Sequence, residues 1–118
     1  MVRVVVPVRY PLTKHSKATL SEAVRIADER EAELTVLHVD LYQENQRVTR
    51  AELRQAVESA FGPLDRVRYV IRRGFLVEET ILEEVAADEA DVVVIGSKPA
   101  GTLRQMRRPV PDNPALPS

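Results

Sequence analysis

The chain contains no cysteine, which excludes a disulfide framework, a thiolate metal site and a cysteine nucleophile together. It also lacks a surplus of either charge. Seventeen basic and 18 acidic residues give a net charge of −1, so no global field draws it to nucleic acid or to anionic lipid. No apolar run approaches the ~20 residues of a membrane span, and the N-terminal region has no long apolar segment of the signal-peptide kind. The expectation is a cytoplasmic protein without a membrane or nucleic-acid partner. The two histidines, His15 and His38, lie far apart with no cysteine near either, so no metal-ligand spacing is present. Lysine is scarce, 3 against 14 arginines, a bias we ascribe to genome composition rather than to a guanidinium-specific task.

What the chain does contain is a set of short, continuous apolar runs. Asp91-Val92-Val93-Val94-Ile95-Gly96-Ser97 ends abruptly in a glycine and a small hydroxyl, Arg3-Val4-Val5-Val6-Pro7-Val8 opens the chain in the same style, and Leu34–Asp40 follows the first helical stretch. Such runs are strands buried on both faces of a parallel sheet. Helical patterns separate them. Ser16 is suited to cap a helix in which Leu20, Ala23, Val24 and Ala27 share one face and which ends near Arg30 or Glu31. Thr49 and Glu52 have capping-box spacing for a second helix carrying Leu53, Ala56, Val57 and Ala60, stopped by Gly62-Pro63. Val67–Arg72 alternates partly with period two, as an edge strand should, with Arg68 and Arg72 marking a wet face. A third helix follows with Val77, Ile81, Leu82, Val85 and Ala86 inside and Glu78, Glu79, Glu83 and Glu84 outside.

The pattern is an α/β domain: an open parallel sheet with helices on both faces. At 118 residues it fits one domain able to bury its own core, expected over residues 1–108. Beyond Ser97 lie a turn-rich loop, Lys98–Thr102, and a segment, Leu103–Arg108, expected as a short basic helix. Four of the eight prolines crowd residues 109–118, expected as a disordered tail. Right-handed crossovers place strands two and three on one side of strand one and strand four on the other. The order reverses between strands one and four, so their carboxyl ends flank a ligand crevice.

Val5–Val8, His15-Ser16 leading into Ala23–Ala27, and Ala32–Val39 resemble the opening βαβ unit of the universal stress protein family. Gly74, Glu79–Leu82 and Ala90–Ser97 resemble its third helix and fourth strand. The ordered set spans residues 3 to about 97. The resemblance implies a five-stranded parallel sheet of order 3-2-1-4-5, with ATP held at the ends of strands one, two and four in the nucleotide-binding members. On this chain the implied ligand residues are Pro7, Val8, Arg9, Val39, Asp40, Gly96, Ser97, Lys98, Gly101 and Thr102.

The chain departs from the family pattern at several of these places. After strand four the relatives read Gly, two residues, Gly, nine residues, Gly, then Ser or Thr, glycines that admit phosphate oxygens to backbone N–H groups. Gly96 matches, but Pro99 takes the second position, and Pro109 and Val110 stand at the last two. Arg9 replaces the acid that usually follows the Pro-Val of strand one. No apolar run after Gly101 supplies the family's fifth strand, so the expected order is 3-2-1-4, with an exposed fourth strand inviting self-association, as a homodimer for instance.

Several residues carry two readings. Gly96 serves the turn or a phosphate; Ser97 is a cap or a ligand group. Lys98, Arg104, Arg107 and Arg108 are a phosphate cluster or a solvated face. Arg9 binds a ligand or pairs with Asp40; His38 is a satisfied core histidine, and His15 sits in a loop. Three functions follow: a non-catalytic regulatory or protective stress protein with a degraded ATP motif, an ATP or AMP sensor of the same fold, or a weak nucleotide hydrolase. For the last, Asp40 is the one acid near Gly96.

Overall fold

The computed structural model describes residues 2–97 and the backbone of residues 102–107. Eight elements follow one another: β1 (Arg3–Pro7), α1 (Lys14–Arg30), β2 (Glu33–Leu41), α2 (Arg50–Phe61), β3 (Val67–Gly74), α3 (Val77–Asp88), β4 (Val92–Ser97) and β5 (Thr102–Arg107). The sheet order is β3-β2-β1-β4-β5. The first four strands are mutually parallel, with Val6 opposite Val36 and Val5 opposite Val93. The order 3-2-1-4 read from the sequence is the one formed.

Two layers of side chains close the core. Val4, Val6, Leu34, Val36, Val92 and Val94 meet α1 and α2 on one face. Val5, Leu37 and Val93 meet Ile81 and Val85 of α3 on the other. Consecutive valines of β1 therefore serve opposite layers, which is why the run is unbroken in hydrophobicity. Each of Val4, Val5 and Val6 is fully buried, worth roughly 1.5–2 kcal/mol apiece by apolar area.

The helix boundaries follow from local chemistry. Thr49 and Glu52 form the reciprocal capping box at α2, and Gly62 ends that helix at φ 79°. At α1 the cap is Thr13 rather than Ser16: the Thr13 hydroxyl accepts from the Ser16 N–H at 3.0 Å. Ser16 Oγ accepts from the Arg9 N–H at 2.9 Å, tying the helix to the end of β1. His15 consequently lies in the first turn of α1 and not in a loop. Glu31, just past that helix, adopts the left-handed conformation at φ 51°, so no glycine marked the end.

Residues 103–108 were expected as a basic helix after a missing fifth strand. Instead Thr102–Arg107 is a strand, antiparallel to β4, with Ser97 opposite Thr102 and Val92 opposite Arg107. Only four residues separate the two strands, too few for the crossover that a parallel partner needs. The open β4 edge supplies the template, and the self-association inferred from that edge loses its basis. Lys98–Gly101 and residues 108–118, including the expected Pro-rich tail, lie outside the described residues. Among the described residues no helix is long and apolar enough to cross a membrane.

The face of β3 carrying Arg68 and Arg72 is wet at one end only: Arg68 is exposed, as expected, whereas Arg72 is half-buried against α3. Arg72 Nε meets Glu84 Oε1 at 2.6 Å and Arg68 meets Asp88 at 2.6 Å. Glu84 and Asp88 are themselves buried; the sequence reading had placed Glu84 on the outer side. A buried carboxylate requires a partner, and these two arginines provide it. Replacing Glu84 by Ala leaves Arg72 only the longer Glu83 contact of 3.7 Å and is expected to lower the unfolding free energy by about 2 kcal/mol. The exposed neighbour Glu83 should cost under about 0.5 kcal/mol on the same replacement. Urea unfolding of both variants checks the contrast.

Candidate functional site

The carboxyl ends of β1, β2 and β4 surround a cleft of about 520 Å³ at the point where the strand order reverses. Of the residues expected there, Pro7, Val8, Arg9, Val39, Asp40 and Gly96 line it. Ser97 and Thr102 instead face each other across the neck of the β4–β5 hairpin. Lys98 and Gly101 lie outside the described residues. The sequence reading missed His15, Ser16 and Thr19 from the first turns of α1, His38 from β2, and the apolar wall of Val77, Ile81 and Ile95. A larger hollow lies elsewhere, between α2 and β3.

Asp40 is buried and its two oxygens are engaged. Oδ2 accepts from the Val48 N–H at 2.9 Å, and Oδ1 lies 3.0 Å from His38 Nε2. The carboxylate thus pins the segment entering α2 onto the end of β2. Arg9 is exposed and forms no ion pair among the described residues. The Arg9–Asp40 pairing is therefore corrected: the inward carboxylate takes the nearest backbone donor and imidazole, while Arg9 is left facing the cleft mouth. His38 Nδ1 sits 3.1 Å from the Val8 carbonyl. Both ring nitrogens lie within hydrogen-bond distance of an oxygen. His38 is a satisfied histidine, as expected, and it also joins β1 to β2 at the cleft floor.

Gly96 is decided by sterics. A methyl group there would collide with the His15 imidazole and the Thr19 hydroxyl. The missing side chain lets the first turn of α1 come against the end of β4, and the His15 ring occupies the volume above the glycine. The electrostatics follow from this packing. The N-terminal end of the 17-residue α1 carries partial positive charge, His15 stands in its first turn, and Arg9 is beside it at the end of β1. The opposite wall is apolar. The acids Asp40 and Glu44 also line the cleft. Among the described residues no group of His, Asp and Glu is arranged to hold a metal ion.

A model of the universal stress protein family matches residues 1–109. The chain belongs to the universal stress protein family. Among solved structures, it is similar to the universal stress protein UspA from Lactobacillus plantarum, with 23% identity, TM-score 0.61, and 82% of this chain and 77% of that one covered. A universal stress protein solved in complex with cAMP matches at 21% identity and TM-score 0.60 over 82% and 73% of the two chains. One from Archaeoglobus fulgidus DSM 4304 matches at 22% identity and TM-score 0.60, covering 85% of this chain but 34% of that longer one. At such identities the structural likeness speaks for the fold. No curated protein matches.

Gly96→Ala should destabilise the domain by about 2 kcal/mol through overpacking, and adding His15→Ala should recover part of that loss although His15→Ala alone does not stabilise. Urea unfolding of the three variants measures it; a neutral Gly96→Ala would show that the ring and the glycine are not in contact.

Proposed function

We propose that this universal stress protein is a non-catalytic regulatory domain whose cleft takes an adenine mononucleotide, of the AMP or cAMP class, in preference to ATP. The observation that carries the reading is the His15 ring seated over Gly96. In the nucleotide-binding members that the sequence resembles, the glycines after strand four offer backbone N–H groups to a polyphosphate. Here the first of those glycines is covered by a side chain, and Pro99, Pro109 and Val110 remove the rest of the motif. What the cleft offers in exchange is Arg9, His15 and the α1 N-terminus, enough for one phosphate. The apolar wall of Val39, Ile81 and Ile95 receives the base. A structural neighbour was solved with cAMP, which supports the ligand class.

The non-catalytic part of the reading rests on Asp40. It is the acid nearest the strand ends in sequence, and both its oxygens are already bonded inward. A carboxylate so engaged is poorly placed to hold Mg²⁺ or to activate water.

Calorimetric titration tests the proposal. AMP and cAMP should bind with micromolar dissociation constants, ATP should bind no tighter, and Arg9→Glu should weaken AMP at least about tenfold. Phosphate release from ATP with Mg²⁺ should stay at background. No heat from any of the three nucleotides at millimolar concentration would refute binding; ATP bound about tenfold more tightly than AMP would refute the mononucleotide preference. Turnover abolished by Asp40→Asn would refute the non-catalytic assignment.

A further inference from the structure

The second hollow, of about 940 Å³, lies on the far side of the sheet from β4, between α2 and the edge strand β3. Its backbone chemistry can be read from the ladder. The Arg66 carbonyl accepts from the Leu34 N–H and the Gly74 carbonyl from the Tyr42 N–H, each at 2.9 Å. The even-numbered residues of this stretch therefore turn their peptide groups toward β2. By alternation along a strand, Val67, Tyr69, Ile71 and Arg73 turn theirs outward, to the free edge. Arg50 confirms it, because its Nε donates to the Tyr69 carbonyl at 2.9 Å. Eight residues long and without proline, β3 is an edge of the kind that pairs with another chain unless something blunts it. Arg50 is the device that blunts it here.

The charge of the hollow selects the partner. Arg50, Arg54 and Arg68 line it against one acid, Glu58. Arg54 is held by Glu58 at 3.0 Å and Arg68 by Asp88 at 2.6 Å. Among the described residues Arg50 forms no ion pair; its bond is to a neutral carbonyl. A guanidinium prefers a carboxylate to a carbonyl, since charge-assisted bonds are roughly twice as strong. An incoming carboxylate would draw Arg50 off the Tyr69 oxygen and so open the edge that Arg50 closes. Two copies of this chain paired through β3 would instead bring both sets of arginines together around one axis, an arrangement that like-charge repulsion opposes.

We propose that the free edge of β3, walled by α2, accepts an acidic peptide as an added strand, with Arg50 and Arg54 reading its carboxylates while outward peptide groups of Val67, Tyr69 and Ile71 pair with its backbone. The site is independent of the nucleotide cleft. Binding a carboxylate and uncovering the Tyr69 carbonyl are one event, so a neutral or basic strand finds the edge closed.

The test uses the full chain and a labelled ten-residue peptide alternating Glu and Val, with a Lys-for-Glu counterpart and two N-methylated forms, one methylated at the Glu nitrogens and one at the Val nitrogens. Fluorescence anisotropy should show the acidic peptide binding at least about tenfold more tightly than the basic one. One N-methylated form should lose binding and the other keep it, because only alternate N–H groups face β3. Amide shifts should cluster at Val67, Tyr69 and Ile71. The exposed double change Arg50→Gln, Arg54→Gln should weaken binding at least about tenfold in a protein that still unfolds cooperatively. No binding at millimolar peptide, equal affinity for the acidic and basic peptides, or indifference to both methylation patterns would overturn the proposal. So would shifts confined to the nucleotide cleft, or a free protein that sediments as a dimer broken by Ile71→Pro.

Discussion

The absence of a side chain at Gly96 sets the position of everything at the ligand end of this molecule. With that one volume left open, the first turn of α1 settles against the end of β4, and the Thr13 cap, the Ser16 bond to β1 and the His15 ring fall into place around it. The cleft exists because the strand order reverses between β1 and β4. Its chemistry exists because α1 begins where it does. A bulkier residue at 96 would collide with the His15 ring and the Thr19 hydroxyl and displace both from the cleft.

A second constraint governs the other side of the sheet. β3 carries three arginines, Arg68, Arg72 and Arg73, and two of them satisfy the buried acids of α3. Each partner answers the other's desolvation, so the α3–β3 contact behaves as a matched set rather than as solvated charge on two surfaces. Two acids that look like surface decoration in sequence, Glu84 and Asp88, are here buried, and the arginines reach them from the strand's more exposed side. The same strand turns its free edge to solvent, where Arg50 of α2 takes up a carbonyl that no neighbouring strand satisfies.

The legible parts of the sequence were those governed by local chemistry. The valine runs of β1 and β4 announced strands buried on both faces, the Thr49–Glu52 spacing announced its capping box, and the resemblance over residues 3–97 matched a family that the whole domain shares. What was not legible depends on distant neighbours. β5 has no apolar alternation of its own and forms because the β4 edge and a four-residue connection leave an antiparallel return as the available pairing. Glu84 sits on the helix beside Ile81 and Val85, and only the arrival of Arg72 from another element makes its burial tolerable. The missed His15 had a signal: Thr13 is itself a good N-cap residue, its hydroxyl accepting from the Ser16 N–H, and a helix begun there places His15 in its first turn. The Arg9–Asp40 pairing failed because Val48, from the next loop, reaches Asp40 first.

In the proposed complex side chains, rather than a glycine-rich backbone, meet the phosphate. The chain has two histidines, so the ring resonances in a long-range proton–nitrogen spectrum assign themselves by single substitution. On saturation with AMP the His15 ring should move with the same dissociation constant as the amides of the cleft, while the His38 ring, held on both nitrogens, moves little. A His15 ring unchanged at full occupancy of the nucleotide would contradict the central claim.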